Sequence, residues 1–371
     1  MSSVLLPDPE RTRRNIGLGL LIVAILFGCG LLLFELVLPP LTTDEPGKHY
    51  LAMMLGAGLA IPAAMVYLTV PRLLDRYDPE PWYALFGCLA WGGICATSFS
   101  IPINECATCI GSGSEVFSTA FVAPIIEEAW KGLGVFGVYY FLRREFDGVV
   151  DGIIYATFIA LSFAAVENVI YYANAANEGD QTFAITLFMR GVLGPWGHPL
   201  YTAMTGIGFG LSRETEKVWV RWSAPLFGYV GAVALHMTWN GSAVLAGMAG
   251  GGGAILFIVM LPLWFLFVAI FLTIVVVLVR RRGAIIREYL VDEVALGNIT
   301  KEELELVGSA FGTLRARMRW GPIGVDFVRA IARLSLSKWH TTRAMRSHTQ
   351  TVSYDFIVPL RQRIASYRRK L

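Results

Sequence analysis

Two adjacent glutamates and a lysine, Glu127-Glu128-Ala129-Trp130-Lys131, stand inside an apolar stretch running from about Val116 to Leu142. Three later apolar stretches carry further polar groups: Glu167 and Asn168, then His198, then His236 and Asn240. An ionisable residue at the centre of a bilayer costs roughly 2.5–3.5 kcal/mol on the insertion scale, so such residues are rare and usually functional. Four of them in neighbouring stretches read as one site. In a helix, Glu127 and Lys131 share a face at i and i+4, the favourable order for an ion pair, and Glu128 reaches the same lysine at i+3. Each of the other polar groups continues a row of small residues spaced by four: Ala156, Ala160, Ala164 and Asn168; His198, Thr202, Gly206 and Gly210; Gly228, Ala232, His236 and Asn240. Such rows let membrane helices approach closely, which turns the polar groups into the bundle and away from lipid.

Two acid–base chemistries fit these residue types. Glu127 can serve as general base on a water, with His236 and Asn240, one turn apart, donating hydrogen bonds to a developing oxyanion. Alternatively, Glu167, His198 and His236 form a His2Glu zinc set with an open position for water, so that the cofactor is either one divalent metal or none. The spacing does not choose between them. The same cluster would also serve a transporter or proton pathway, or a scaffold or immunity protein without turnover. Other membrane-protease signatures, HExxH and GxGD, are absent from the sequence, and Gly111-Ser112-Gly113-Ser114 reads as a linker.

The elements that must position these residues follow from composition. The chain has 371 residues, 55% hydrophobic and only 16% charged, with mean hydropathy +0.56. Soluble domains carry about 25% charged residues, so the expectation is an all-α polytopic membrane protein. A crossing helix needs about 20 apolar residues, and eight runs qualify: 16–38, 50–70, 82–103, 116–142, 149–175, 183–211, 219–247 and 254–279. Pro124, Pro195 and Pro225 predict kinks, and Pro124 in addition predicts a backbone carbonyl left free near it. Counted from the end by which each helix enters, Glu127, Glu167, His198 and His236 lie about 12 to 19 residues in, a common depth. Arg11/Arg13/Arg14, Arg72/Arg76, Arg143/Arg144, Arg213/Lys217/Arg221 and Arg280/Arg281/Arg282 fall on one side. The alternating connections hold only Lys48. That asymmetry places both termini in the cytoplasm of a multi-pass cell-membrane protein.

Three pieces are expected: an N-terminal arm (1–15), a transmembrane domain (16–279, core 115–245) and a cytoplasmic helical tail (280–371). The tail carries 18 Lys and Arg against 8 Asp and Glu, net +10, although the whole chain is only +3. Thr300-Lys301-Glu302-Glu303 is a capping box that starts a helix. Stretches 324–347 and 355–370 space Val325, Phe327, Val328, Ile331 and Leu334, then Phe356, Leu360 and Ile364, as helices do. The expected partner of this basic tail is anionic lipid of the inner leaflet, each charge adding about 1 kcal/mol; no nucleic-acid motif is present. Cys29, Cys88 and Cys95 read as small apolar groups in the spans. Cys106 and Cys109 form a CxxC that reads as a local disulfide or two free thiols in preference to a metal clip.

Glu127-Glu128-x-x-Lys131, Phe163-x-x-x-Glu167-Asn168, the lone His198 and His236-x-x-x-Asn240 together resemble the EExxK, FxxxEN and HxxxN pattern of PrsW-type intramembrane proteases. Phe146-Asp147-Gly148-x-x-Asp151-Gly152 ahead of the second motif is similar as well. The resemblance covers about residues 115–245. PrsW-type proteins are distant relatives of the CAAX prenyl-protease and bacteriocin-immunity membrane proteins, which carry a histidine where this chain has Glu167. The resemblance implies an intramembrane endopeptidase built from helices four to seven. In it Glu127 activates water, Glu128 orients through Lys131, and His236 with Asn240 forms the oxyanion hole. It also implies a membrane-anchored protein substrate of the anti-sigma-factor kind, cut on the outer side.

Overall fold

The computed structural model describes residues 9–42, 45–75, 77, 79–110, 115–248, 253–309, 311–346 and 353–371, and every regular element among them is helical. In chain order the helices are α1 (Pro9–Leu32), α2 (Pro46–Tyr67), α3 (Thr69–Leu74), α4 (Trp82–Ala90), α5 (Thr97–Ile110), α6 (Glu115–Phe117), α7 (Ala123–Phe141), α8 (Val149–Glu178), α9 (Asp180–Phe188), α10 (Gly197–Glu214), α11 (Val218–Met248), α12 (Gly253–Glu288), α13 (Val291–Ala295), α14 (Lys301–Gly308), α15 (Gly312–Arg346) and α16 (Tyr354–Arg368). The protein is an all-α polytopic membrane protein. Six helical stretches among the described residues are long and apolar enough to cross a bilayer: Glu10–Thr42, Pro46–Arg72, Trp82–Ala107, Val149–Glu178, Val218–Met248 and Ile258–Ala295.

The two further runs expected to cross, 116–142 and 183–211, are helical but differ from a plain span for physical reasons. The first contains Glu127, Glu128 and Lys131. The second leaves helical geometry at Gly194–Trp196, around Pro195, and resumes at Gly197. His198 therefore sits in the first turn of α10 and not in mid-helix. Pro225, by contrast, lies inside an unbroken α11. Helix also begins at Pro9, inside the segment expected to be a polar arm.

By contacts the chain falls into two units, residues 1–72 with 80–271 and residues 73–79 with 272–371. The centre of the first is α8. Nine consecutive residues, Ile153 to Leu161, are buried, which requires neighbours on every side of the helix. Those neighbours include α2, α4, α7 and α10. The start of α8 explains the Phe146–Gly152 motif as scaffold. Phe146 is buried in the core, and the Asp151 carboxylate accepts hydrogen bonds from the Asp147 and Gly148 backbone N–H groups at 2.9 and 3.0 Å. A methyl group at Gly152 would come within 2.1 Å of the Gly206 carbonyl oxygen. Only glycine lets α8 and α10 cross so closely, as the small-residue rows predict.

The second unit carries the basic tail. Thr300 and Glu303 exchange the expected capping hydrogen bonds at 3.1 and 2.8 Å. The two expected helices form, and α15 is interrupted at Gly321, whose φ of 63° suits glycine ahead of Pro322. Phe327, Val328, Ile331, Leu334, Leu360 and Ile364 are buried, whereas Val325 is half-buried and Phe356 exposed. Glu293, fully buried, ties this unit together by accepting from Arg361 at 2.6 Å, Asn298 at 2.7 Å and Lys338 at 2.9 Å. Cys106 is a free, exposed thiol; the side chain of Cys109 and residues 111–114 lie outside the described residues.

Candidate active site

Glu127, Glu128 and Lys131 lie on the face of α7 that packs against α8, α10 and α11, and all three are buried. The lysine ammonium organises the cluster. It donates to Glu128 Oε1 at 2.8 Å, to Glu127 Oε2 at 3.4 Å and to His198 Nδ1 at 2.9 Å. It also sits 4.0 Å from the centroid of the Phe163 ring, where the negative face of the ring offsets part of its lost hydration. Glu128 is the most fully bonded carboxylate. Its Oε1 also faces His236 Nδ1 at 3.1 Å, and its Oε2 accepts from the Thr202 hydroxyl at 2.8 Å. Glu127 is held loosely: Lys131 is its one hydrogen-bond donor among the described residues, and His236 Nε2 lies 3.9 Å from Oε2.

Glu167 approaches from α8. Its Oε2 is 2.8 Å from His198 Nε2 and 2.5 Å from the Arg190 guanidinium. Arg190 donates through Nε to Asn168 Oδ1 at 2.7 Å and lies over the Tyr171 ring at 3.8 Å. The two imidazoles meet nearly edge to face, their centroids 5.0 Å apart. Glu127, Glu128, Lys131, Glu167, His198 and His236 thus form one continuous polar network.

Two residues stand differently from expectation. Asn240 does not join His236; its amide donates to the Thr119 carbonyl at 3.0 Å. The cause is local. A π turn over Ser118–Val122 precedes α7, the Ala123 N–H goes to Ser118, and Pro124 has no N–H to give to Thr119. Asn240 satisfies the carbonyl that the proline leaves free. The second concerns metal ligands. Among the described residues, the group whose donor atoms lie within 4.8 Å of one another is Glu127, His198 and His236. Glu167 bonds His198 but is not in that group, and its carboxylate is paired with Arg190.

The donor set suits a divalent cation. Two imidazoles and one carboxylate make a His2Glu set. A carboxylate facing His236 Nδ1 fixes that ring with Nδ1 protonated and the Nε2 lone pair free, the arrangement that commonly supports a ligating histidine. His198 is fixed in the opposite sense, with Nε2 donating to Glu167 and Nδ1 accepting from Lys131, so its Nδ1 lone pair becomes available to a metal only when the lysine hydrogen bond is given up.

Arg190 and Thr202 are the site residues that motif reading passes over. Arg190 carries a signal nonetheless, as a lone arginine in an apolar run. It lies in the π turn Met189–Leu193 just before the break that delivers His198, and π turns recur at functional sites.

A family model described as PrsW family intramembrane metalloprotease matches residues 80–284. The chain belongs to that family. It is a membrane-embedded peptide hydrolase. The match reaches beyond the four motifs to take in α4, α5 and most of α12. The chain is 27% identical to "Protease PrsW" of Geobacillus kaustophilus over 182 residues, covering 47% of this chain and 75% of that protein. It is 27% identical to "Protease PrsW" of Bacillus subtilis over 173 residues, covering 46% and 73%. A third protein of that name, from Oceanobacillus iheyensis, is 27% identical over 164 residues, covering 43% and 69%. No solved structure matches the chain.

Proposed function

We propose that the protein hydrolyses a peptide bond of a membrane-anchored protein, with Glu127 as general base at a site completed by Glu128, Lys131, Glu167, His198 and His236. The observation that carries this reading is the unequal hold on the three carboxylates. Glu128 is fixed by three partners within 3.1 Å and Glu167 by two within 2.8 Å. Glu127 has only the lysine at 3.4 Å, and its Oε1 has no hydrogen-bond partner among the described residues. A base that must accept and return a proton needs such a free oxygen. Glu128 would hold His236 in one tautomer, and Glu167, anchored by Arg190, would hold His198 in the other. Water held against Glu127 loses a proton to Oε1 as its oxygen attacks the carbonyl carbon, and the same proton then passes to the departing nitrogen.

Within the group formed by Glu127, His198 and His236, the two histidines would hold the metal of this metalloprotease family, leaving Glu127 beside them to act as base on its water, and zinc is the ion their chemistry favours. Such an ion polarises the carbonyl and lowers the pKa of bound water. Elemental analysis of the purified protein should find about one zinc per chain, reduced to background in His198→Ala and His236→Ala. Equal zinc in both variants would remove these two histidines from the ligand set.

The charge asymmetry of the connecting segments supports a cell-membrane location with both termini cytoplasmic. The substrate class that the resemblance to PrsW-type proteases favours is a single-pass protein of the anti-sigma-factor kind, cut on the outer side. Comparing membrane fractions from cells that carry wild type or Glu127→Gln would identify it as the single-pass protein shortened only by wild type; no such protein would sink the reading. The basic tail would bind anionic lipid. Residues 280–371 should cosediment with phosphatidylglycerol vesicles and not with phosphatidylcholine vesicles, and equal partitioning would remove that role.

A further inference from the structure

The expected oxyanion donor, Asn240, is anchored by one of its two amide N–H groups to the Thr119 carbonyl ahead of α7 and has no hydrogen bond to His236. Tyr201, on α10, carries a hydroxyl donor on a ring packed against both histidines. It is 1% exposed, and its ring stacks on His236 with centroids 4.7 Å apart at 19°. The same ring meets His198 edge-on at 5.9 Å and Trp264 edge-on at 5.8 Å. Trp264 is in turn packed on Trp239 at 4.5 Å. These contacts hold the ring against both histidines. The hydroxyl lies beside Gly197, close enough that a methyl group there would come within 3.1 Å of it. It is therefore at the mouth of α10, next to His198.

Despite this burial, the Tyr201 hydroxyl has no hydrogen-bond partner among the described residues. Buried tyrosine hydroxyls are nearly always paired, because an unpaired one forfeits its hydration without return. Phenylalanine would supply the same ring, the same stacking on His236 and the same fit against Trp264. The hydroxyl contributes nothing to the fold that the structure shows. What it can do is donate to an oxygen that arrives with the substrate.

We propose that Tyr201 is a catalytic residue that donates its O–H hydrogen bond to the carbonyl oxygen of the scissile peptide bond. As the water oxygen bonds to the carbonyl carbon, an electron pair moves onto that oxygen and the Tyr201 hydrogen bond strengthens. The C–N bond then breaks, the electron pair returns, and the proton held by Glu127 goes to the leaving nitrogen. Tyr201 keeps its own proton throughout. The assignment rests on the proposed role of Glu127, since it places the reacting carbonyl between that carboxylate and the two histidines.

The test is Tyr201→Phe, assayed on the single-pass protein that wild type cleaves and Glu127→Gln does not. That control decides the Glu127 reading first and separately. With it in place, Tyr201→Phe is expected to lower kcat about 100- to 1000-fold, as loss of one oxyanion donor does, with KM within about twofold. Its melting temperature in detergent should equal or exceed that of wild type, because an unpaired buried hydroxyl has been removed. A peptide phosphonate, tetrahedral at the scissile position, should bind the variant at least tenfold more weakly, while the uncleaved peptide binds equally. Wild-type kcat in Tyr201→Phe overturns the proposal. A lowered melting temperature with an unselective loss of both ligands would also overturn it, by showing that the hydroxyl supports the fold.

Discussion

Glu127→Gln should abolish peptide hydrolysis while the protein remains inserted and folded. The amide keeps the shape of the side chain and its place on α7, and it can still accept the long hydrogen bond from Lys131. It loses the capacity to take a proton. General-base catalysis is worth about 10²–10⁴ in rate, and a residue that also faces the two histidines should fall at the upper end, so the expected loss of kcat is about 10⁴-fold. The geometry makes the prediction specific among the carboxylates. Glu128 accepts from Lys131, Thr202 and His236 and cannot become a base without giving up its hold on His236. Glu167 is neutralised by Arg190 at 2.5 Å. Glu128→Gln should therefore impair activity through a misplaced His236, with an altered pH profile, whereas Glu127→Gln should leave no ionisation of its own to profile. The measurement is single-turnover cleavage of the identified substrate by each purified variant. Residual activity in Glu127→Gln within tenfold of wild type would move the base to Glu167 and undo the inference from unequal hold.

Much of this site is legible in the amino-acid sequence, because its rules are local. The i, i+3 and i, i+4 relations of Glu127, Glu128 and Lys131 follow from helical geometry alone, and both ion pairs form. The rows of glycine and alanine foretell the close crossing of α8 and α10 at Gly152 and Gly206. Even the free carbonyl near Pro124 is foreseeable. Its partner is not, since Asn240 lies 121 residues further along and its spacing from His236 points equally well to an oxyanion hole. The choice between Glu127 and Glu167 beside the histidines has the same character. Both carboxylates sit at suitable depth, and the three-dimensional packing sets Glu127 with the two histidines while Glu167 pairs with Arg190, brought in by a π turn that no composition pattern announces. Two of the four segments that carry the site, 116–142 and 183–211, are absent from the six apolar spans, while those that carry Glu167 and His236 are among them. The charges and the break that make the two absent segments chemically useful are what a hydropathy criterion rejects.

Lys131→Met should damage the fold more than any carboxylate substitution in the cluster. Lys131 is fully buried, and it is the cation shared by Glu127 and Glu128. Methionine matches its stem and would still pack on Phe163, but it leaves Glu128, also fully buried, with hydrogen bonds from Thr202 and His236 alone. Removing one partner of a buried pair costs about 3–5 kcal/mol because the other charge stays behind without compensation. For a domain of this size that corresponds to a melting temperature lower by about 10 °C. Glu127→Gln, in contrast, leaves the 2.8 Å pair between Lys131 and Glu128 intact and should shift the melting temperature little. The double variant Lys131→Met/Glu128→Gln separates charge from packing: if the loss arises from an uncompensated carboxylate, neutralising it recovers at least half of the deficit. Thermal unfolding in one detergent, followed by size-exclusion chromatography of the four proteins, reads both effects. Equal melting of Lys131→Met and wild type would mean that water or the substrate path already compensates the two glutamates, and the ammonium would then have no structural claim on the centre of the site.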